Sequence, residues 1–260
     1  MTKALFFDID GTLVSFKTHS VPSSTVEALK ITKSKGIKVY ISTGRPVQLI
    51  NNIDSVKHLI DGYMTTNGAC CFIGDKIVRV TPVSPEDVNV FMDASNKMGF
   101  SCILVGTNGI SALNPDEKLK RVFKGMLDID YEKMEQPLSE TLKSPIIQIT
   151  PFISVDTERK IFKSLNSCTT ARWHPEFSDV TSRLADKGQG LEAMAKATGI
   201  EIEETMAFGD GGNDIPILRR AGIGVAMGNA LDNVKAAADY VTSSIDDDGV
   251  SNALEHFGII

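Results

Sequence analysis

Cysteine, histidine and tryptophan are scarce: four, four and one among 260 residues. Cys70 and Cys71 are adjacent, whereas Cys102 and Cys168 stand alone. That pattern excludes a zinc spacing and a disulfide framework, so free, largely buried thiols and a reducing compartment are expected. Long apolar runs are missing too; none approaches the ~18–20 residues of a membrane-spanning helix. Met1-Thr2-Lys3 runs straight into a strand-like segment interrupted by acids from position 8, unlike a signal peptide. The expected location is the cytoplasm, with no membrane partner. Excess positive charge is absent: the formal net charge is −6, and the densest basic stretch, Lys118 to Lys124, reads as a mixed-charge helix. No nucleic-acid footprint results. No Gly-x-Gly-x-x-Gly follows the first strand-like run, which disfavours a dinucleotide enzyme. Internal repeats and low-complexity tracts are lacking, and no feature requires an oligomer. What remains is an ordinary soluble composition, 42% hydrophobic and 23% charged, with room for one large domain or two smaller ones.

The chain opens on Ala4-Leu5-Phe6-Phe7, long enough for one buried strand. Asp8 and Asp10 follow and then Gly11. Residues two apart in an extended chain face the same way, so two carboxylates leave the strand end together. They repel unless a cation or a shared proton compensates. Taken alone, Asp-x-Asp-Gly is equally well read as a turn.

Ser24-Thr25-Val26-Glu27 has the form of a capping box opening a helix to about Lys35, with Gly36 just beyond it. Ile37 to Ile41 is β-rich and ends at Ser42-Thr43-Gly44-Arg45. This is a βαβ unit with parallel strands. A second helix is expected from Pro46 to about Val56, then a short strand at Gly62 to Thr66, an Asn67-Gly68 turn, and a hairpin around Gly74-Asp75. From Pro82 to Leu184 the texture differs. Helices are expected at Pro85 to Met98, Asp116 to Leu127 and Thr157 to Leu165, with strands at Ser101 to Val105, Pro145 to Thr150, Thr169 to His174 and Asp179 to Thr181. Residues 82–184 therefore read as a small inserted α/β domain with an open sheet. Residues 1–81 and 185–260 together form the other domain. In the latter part, strands at Thr205 to Phe208 and Gly224 to Met227 end in Gly209-Asp210-Gly211-Gly212-Asn213-Asp214 and Gly228-Asn229. Ligands of open parallel sheets bind beyond the carboxyl ends of the strands. That rule gathers clusters roughly two hundred residues apart into one crevice.

Those clusters supply the needs of phosphate-ester hydrolysis, for which enzymatic accelerations reach about 10²¹. Asp8 can act as the nucleophile, through an aspartyl-phosphate, and Asp10 as the general acid and base. Asp210 adds a third carboxylate. Three acids facing one crevice call for a cation, and oxygen-only ligation favours Mg2+. Thr43 offers a hydroxyl, Gly44 a backbone N–H, Lys187 a positive charge at a helix start and Asn213 an amide. Asp214 can orient Lys187 or a metal-bound water.

The set and its order resemble the haloacid dehalogenase (HAD) superfamily. The matching stretches are Asp8-x-Asp10-Gly11-Thr12, Thr43-Gly44-Arg45, Lys187 and Gly209-Asp210-x-x-Asn213-Asp214. Thr66-Asn67-Gly68-Ala69 and Gly224 to Ala230 narrow the likeness to the Cof-type phosphatases. The resemblance implies a Rossmann-like α/β core with a parallel sheet, a β-hairpin flap after Thr12, and an inserted α/β cap acting as a lid. It implies Mg2+ on the Asp8 side chain, the Asp10 backbone carbonyl and the Asp210 side chain. Phosphate contacts would come from the Ile9 backbone, Thr43, Gly44, Lys187 and Asn213. Substrates would be small phosphorylated metabolites, hexose phosphates foremost. Cap contacts are expected from Arg172 and Trp173, with His174 beside them and Asp179 behind. Arg45 could reach substrate hydroxyls or pair with an acid, Asn67 could touch substrate or serve the turn, and His19 is expected to face solvent. A sugar phosphomutase and a non-catalytic metabolite-binding regulator on the same fold are the alternatives.

Overall fold

The computed structural model describes every residue except 128–131, 133 and 134, and of residues 126, 127 and 173 only the backbone. In chain order come β1 (Ala4–Phe7), α1 (Ser23–Ser34), β2 (Lys38–Ser42), β3 (Gly62–Thr65), β4 (Cys70–Ile73) and β5 (Lys76–Val80). Next are α2 (Pro85–Met98), β6 (Cys102–Gly106), β7 (Gly109–Leu113), α3 (Glu117–Leu127), α4 (Leu138–Thr141), β8 (Ile146–Pro151), α5 (Val155–Phe162), β9 (Cys168–His174) and β10 (Phe177–Ser182). The last stretch holds α6 (Lys187–Thr198), β11 (Thr205–Gly209), α7 (Ile215–Arg220), β12 (Ile223–Ala226), α8 (Asp232–Lys235), β13 (Tyr240–Val241) and α9 (Gly249–His256). The chain divides into two compact units: Met1–Arg45 with Ile50–Arg79 and Asp186–Ile260, and Pro46–Leu49 with Val80–Ala185. Among the described residues no helix is long and apolar enough to cross a membrane.

The first unit is built on an eight-stranded sheet of order β13-β12-β11-β1-β2-β3-β4-β5. From β13 to β3 every pair is parallel, and β4 returns antiparallel to β3. β1 is central because all four of its residues are apolar and fully buried. Successive side chains point to opposite faces. Leu5 and Phe7 pack with Ala28 and Leu29 of α1 and with Val250, Ala253 and Leu254 of α9. Ala4 and Phe6 pack with Leu191 and Met194 of α6 and with Ile217 and Leu218 of α7. Burying each of these large side chains is worth about 1.5–3 kcal/mol. A strand covered on both faces reads as an unbroken apolar run, which is how this one reads. The order changes direction at β1, since β2 lies on one side and β11 on the other. Such a switch point opens a crevice at the carboxyl ends of the strands.

The second unit has a five-stranded antiparallel sheet of order β7-β6-β8-β10-β9. Val88 and Phe91 of α2 and Ile161 of α5 pack against Cys102, Leu104, Ile149, Cys168 and Val180 of the sheet. The start of α2 is pinned to the start of β9 by the buried Asp87. Its carboxylate accepts from Asn166 N–H (3.1 Å), Ser167 N–H (3.0 Å), the Ser167 hydroxyl (2.7 Å) and Cys168 Sγ (3.3 Å). Burial alone would raise its pKa, but these donors outweigh it and lower the value to about 2. Asp87→Ala leaves the donors unpaired and should cost about 2–4 kcal/mol in urea denaturation. Because the folded pKa is depressed, this stabilisation is fully present above pH 4 and lost as pH falls towards 2. A wild-type midpoint in the variant would refute the assignment.

Several expected elements differ. Pro46 to Val56 holds no α-helix; one 3₁₀ turn spans Val47–Leu49, and Asn52 sits at φ 63°. Asn51-Asn52 disfavours a helix interior because such side chains compete for backbone groups. α1 begins two residues earlier than the capping-box pattern suggests, after Pro22, with no side-chain cap. The Ser24 hydroxyl is engaged by Asp248, and Glu27 by Lys30. No hairpin follows Thr12; the segment makes a single bridge between Asp10 and Val14. β7 and α4, which the periodicity did not reveal, complete the second unit. All four cysteines are free and buried, and His19 is exposed, as their scatter and setting suggested.

Candidate active site

Asp8 N–H donates to Phe208 O (3.1 Å), which keeps the chain alongside β11 one residue past the end of β1. The Asp8 carboxylate therefore emerges beside Asp210, the residue following β11. Gly11 makes this proximity possible. Its φ is 85°, and a Cβ there would lie 2.3 Å from Asp210 Oδ2. The Thr12 hydroxyl donates to Asp210 Oδ1 at 2.8 Å. Asn229 braces the same turn, donating to Gly11 O (2.8 Å) and accepting from Ile245 N–H (3.0 Å).

Lys187 opens α6 and is fully buried. Its ammonium donates to Asp8 Oδ1 (2.6 Å) and Asp214 Oδ1 (2.5 Å). Burial would lower its pKa, but Asp214 and Asp8 more than reverse that, so it stays charged. Asp214 Oδ2 accepts from the N–H groups of Asp210 (3.1 Å) and Gly211 (2.9 Å). It thus fixes both the lysine and the loop that places Asp210. Burial, opposed by Lys187 and reinforced by Asp214, Asp210 and Asp10, pushes Asp8 well above the usual carboxylate range. Burial also pushes Asp210 up to about 6, against the Thr12 hydrogen bond and with help from Asp214.

Carboxylate oxygens of Asp8, Asp210 and Asp214 lie within 4.8 Å of one another. An all-oxygen, anionic set of this kind fits a hard divalent cation. Oδ2 of Asp8 and Oδ2 of Asp210 have no hydrogen-bond partner among the described residues. Those two atoms are the ones free to ligate, while both oxygens of Asp214 are engaged behind them.

Asp10 is separate from this cluster. Arg45 grips its carboxylate in a fork, Nε to Oδ2 (2.8 Å) and Nη2 to Oδ1 (2.6 Å), and Nη1 donates to Asn51 Oδ1 (2.7 Å). Of the two readings of Arg45, the structure displays the ion pair. Asn51 had no signal in the sequence. Thr43 is buried, and its hydroxyl accepts from Arg45 N–H (3.1 Å). Neither Ile9 N–H nor Gly44 N–H has a partner among the described residues, so both are available to an anion. Asn213 is exposed and donates to Asn67 Oδ1 (2.9 Å). The first unit therefore brings together Asp8, Ile9, Asp10, Thr43, Gly44, Arg45, Lys187, Asp210, Asn213 and Asp214.

Arg172 belongs to the second unit. All five of its N–H donors are spent there, on Glu158 Oε2 and on the carbonyls of Ile153, His174 and Pro175. A substrate contact would require that network to open. Trp173 lies in β9, and its side chain falls outside the described residues. Asp179 is buried and accepts from Gln148 Nε2 (2.9 Å) and the Thr150 hydroxyl (2.8 Å).

Residues 5–254 match the family model of the haloacid dehalogenase-like hydrolases, and the chain belongs to that family. The eight-stranded unit corresponds to the family's core and the five-stranded unit to its cap. The solved HAD subclass IIB sugar phosphatase BT4131 is 47% identical, with complete coverage of both chains (100% each) and a TM-score of 0.88. BT1666, a HAD phosphatase from Bacteroides thetaiotaomicron, is 35% identical over 100% of this chain and 96% of its own, with a TM-score of 0.84. Phosphatase YwpJ of Bacillus subtilis is 29% identical, spanning 98% of this chain and 99% of that protein. The chain is accordingly a phosphatase of the HAD family.

Proposed function

We propose that the protein is a Mg2+-dependent phosphatase of small phosphorylated metabolites, sugar phosphates foremost, working through a phosphoryl group on Asp8. The observation that supports this most is the buried Asp8–Lys187–Asp214 chain next to Asp210. Lys187 holds Asp8 Oδ1 and leaves the other oxygen unengaged. In the first half-reaction a carboxylate oxygen of Asp8 attacks phosphorus, the ester P–O bond breaks, and Asp10 gives its proton to the departing alkoxide. In the second, Asp10 takes a proton from water as that water attacks phosphorus, and orthophosphate and the Asp8 carboxylate are regenerated. The N–H groups of Ile9 and Gly44, Thr43, Lys187 and Asn213 receive the equatorial oxygens, where donors act on charge as it develops. The Arg45 fork holds the ionised Asp10 carboxylate, the form that takes the proton from water in the second half-reaction, and giving a proton in the first requires one of the two fork hydrogen bonds to open. A divalent cation, when bound, would be held by Asp8, Asp210 and the Asp10 backbone carbonyl, and would neutralise the phosphoryl charge. The 47% identity to a sugar phosphatase supports the sugar reading.

Incubation with a panel of sugar phosphates should release orthophosphate with Mg2+ and not after chelation. Isomerised sugar phosphate without release would point to a mutase. No turnover of any panel member would leave the metabolite-binding regulator.

Metal and pH are linked at Asp210. Its folded pKa of about 6, against 3.8 in the unfolded chain, means the folded state binds the extra proton. In metal-free protein this group should therefore cost up to about 3 kcal/mol as pH rises from 4 to 6. Mg2+ offsets that cost, so it should raise Tm at pH 8 and much less at pH 5, where protons compete. Asp210→Asn should abolish the Mg2+ response in thermal denaturation, and Asp10→Asn should keep it. Equal loss in both variants would refute the division of roles.

A further inference from the structure

Thr66, Asn67 and Gly68 follow β3 with φ of 49°, 54° and 85°, three left-handed residues in succession. Asn tolerates that region and glycine adopts it freely, but a β-branched residue there is an outlier. Thr66 is also fully buried, and its hydroxyl has no partner. Conformational strain and an unpaired buried hydroxyl each disfavour the fold, and such features persist only where surrounding structure enforces them. Here the enforcement is visible. Thr66 N–H donates to Arg45 O (3.1 Å) and Asn67 N–H to Thr43 O (3.0 Å). On the other side Gly68 is pressed against the start of α6; a Cβ there would lie 2.3 Å from Asp186 O. The turn is thus fastened to the Thr43–Arg45 loop and to the residue before Lys187.

The result is the placement of one side chain. The Asn67 carboxamide lies over Gly44: a Cβ at Gly44 would be 3.2 Å from Asn67 Oδ1, 3.5 Å from Asn67 Nδ2 and 3.6 Å from Asn213 Nδ2. Oδ1 accepts from Asn213, whereas the NH2 group has no partner among the described residues. A turn alone would not need this carboxamide, since glycine adopts φ 54° at lower cost.

We propose that Asn67 is a further residue of the phosphate pocket. Its Oδ1 holds the Asn213 carboxamide, and its NH2 group donates to a phosphoryl oxygen beside those received by Thr43 and Gly44. The inference rests on the phosphate-site reading above. Asn67→Gly preserves the left-handed backbone and removes the amide. Asn67→Asp is isosteric and keeps the acceptor for Asn213, but it has no donor and repels phosphate. Sugar-phosphate kinetics, product inhibition by orthophosphate and thermal midpoints should be measured on both. The expected result is an unchanged midpoint, a loss in kcat/KM of about 10²-fold in each variant, and weaker inhibition by orthophosphate. Wild-type kcat/KM and phosphate inhibition in Asn67→Gly would overturn the proposal. Wild-type kinetics in Asn67→Asp would overturn it too, reducing Asn67 to a support for Asn213, and this isosteric variant decides the matter should Asn67→Gly not fold. If the wild-type protein neither turns over substrate nor binds orthophosphate, the phosphate-site reading itself falls, and the inference with it.

Discussion

Replacing Lys187 with Met should destabilise the protein by about 3–5 kcal/mol and abolish turnover. The ammonium is fully buried and bonded to two carboxylates. Removing one partner of a buried ion pair leaves the other charged and desolvated, which costs far more than the pair is worth. Lys187 is the one group that opposes the burial raising Asp8, so without the ammonium Asp8 ionises only at still higher pH and the folded state holds a proton that the unfolded chain releases near pH 4. Stability of Lys187→Met should therefore fall as pH rises, and the gap from wild type should be larger at pH 8 than at pH 5. Urea denaturation followed by circular dichroism at both pH values measures this. A constant gap across pH, or none, would show that the lysine is not the counter-charge for these acids.

Asp8→Asn should have the opposite profile, with turnover lost and the fold kept. The amide oxygen can still accept from Lys187 Nζ. One negative charge disappears from a cluster in which Asp8 and Asp210 are both pushed up by burial and by neighbouring acids. The metal-free variant should therefore be as stable as wild type at pH 8, or more stable. Its kcat should fall by about 10⁴-fold or more, in the range seen when an enzyme's nucleophile is removed. Rapid quenching of the wild-type protein with substrate should trap phosphate on the chain, labile to hydroxylamine, and the variant should trap none. A variant retaining a tenth of wild-type kcat would remove Asp8 from the role of nucleophile.

Legibility in the sequence followed physical locality. β1 was readable because a strand covered on both faces needs a continuous apolar run. The start of α2 was readable because Ser84 accepts from Asp87 N–H and Pro85 suits the first turn. The stretch after Pro46 departs from the expected helix because Asn51-Asn52 disfavours a helix interior and Arg45 draws Asn51 into a tertiary hydrogen bond. The α1 cap was misread for a similar reason: Ser24 found a partner 224 residues away. β7 was missed because Gly109–Leu113 has no strong alternation, and its strand character comes from pairing with β6.

The residue types of the site were set by the chain itself. Two acids after a buried strand, a Thr-Gly-Arg turn, a lysine at a helix start and an acidic glycine loop define a chemistry before any distance is known. Only the tertiary structure decided how those groups are partnered. Lys187, expected as a positive charge at a helix start, is buried between Asp8 and Asp214. Asp10 is paired with Arg45, and Asn67 with Asn213. Such pairings join residues up to 179 positions apart, and sheet order and register decide them. A sequence pattern specifies which way a side chain leaves its own strand or turn. What it meets there depends on which other strand ends share the edge, and here that was determined by placing β1 between β2 and β11.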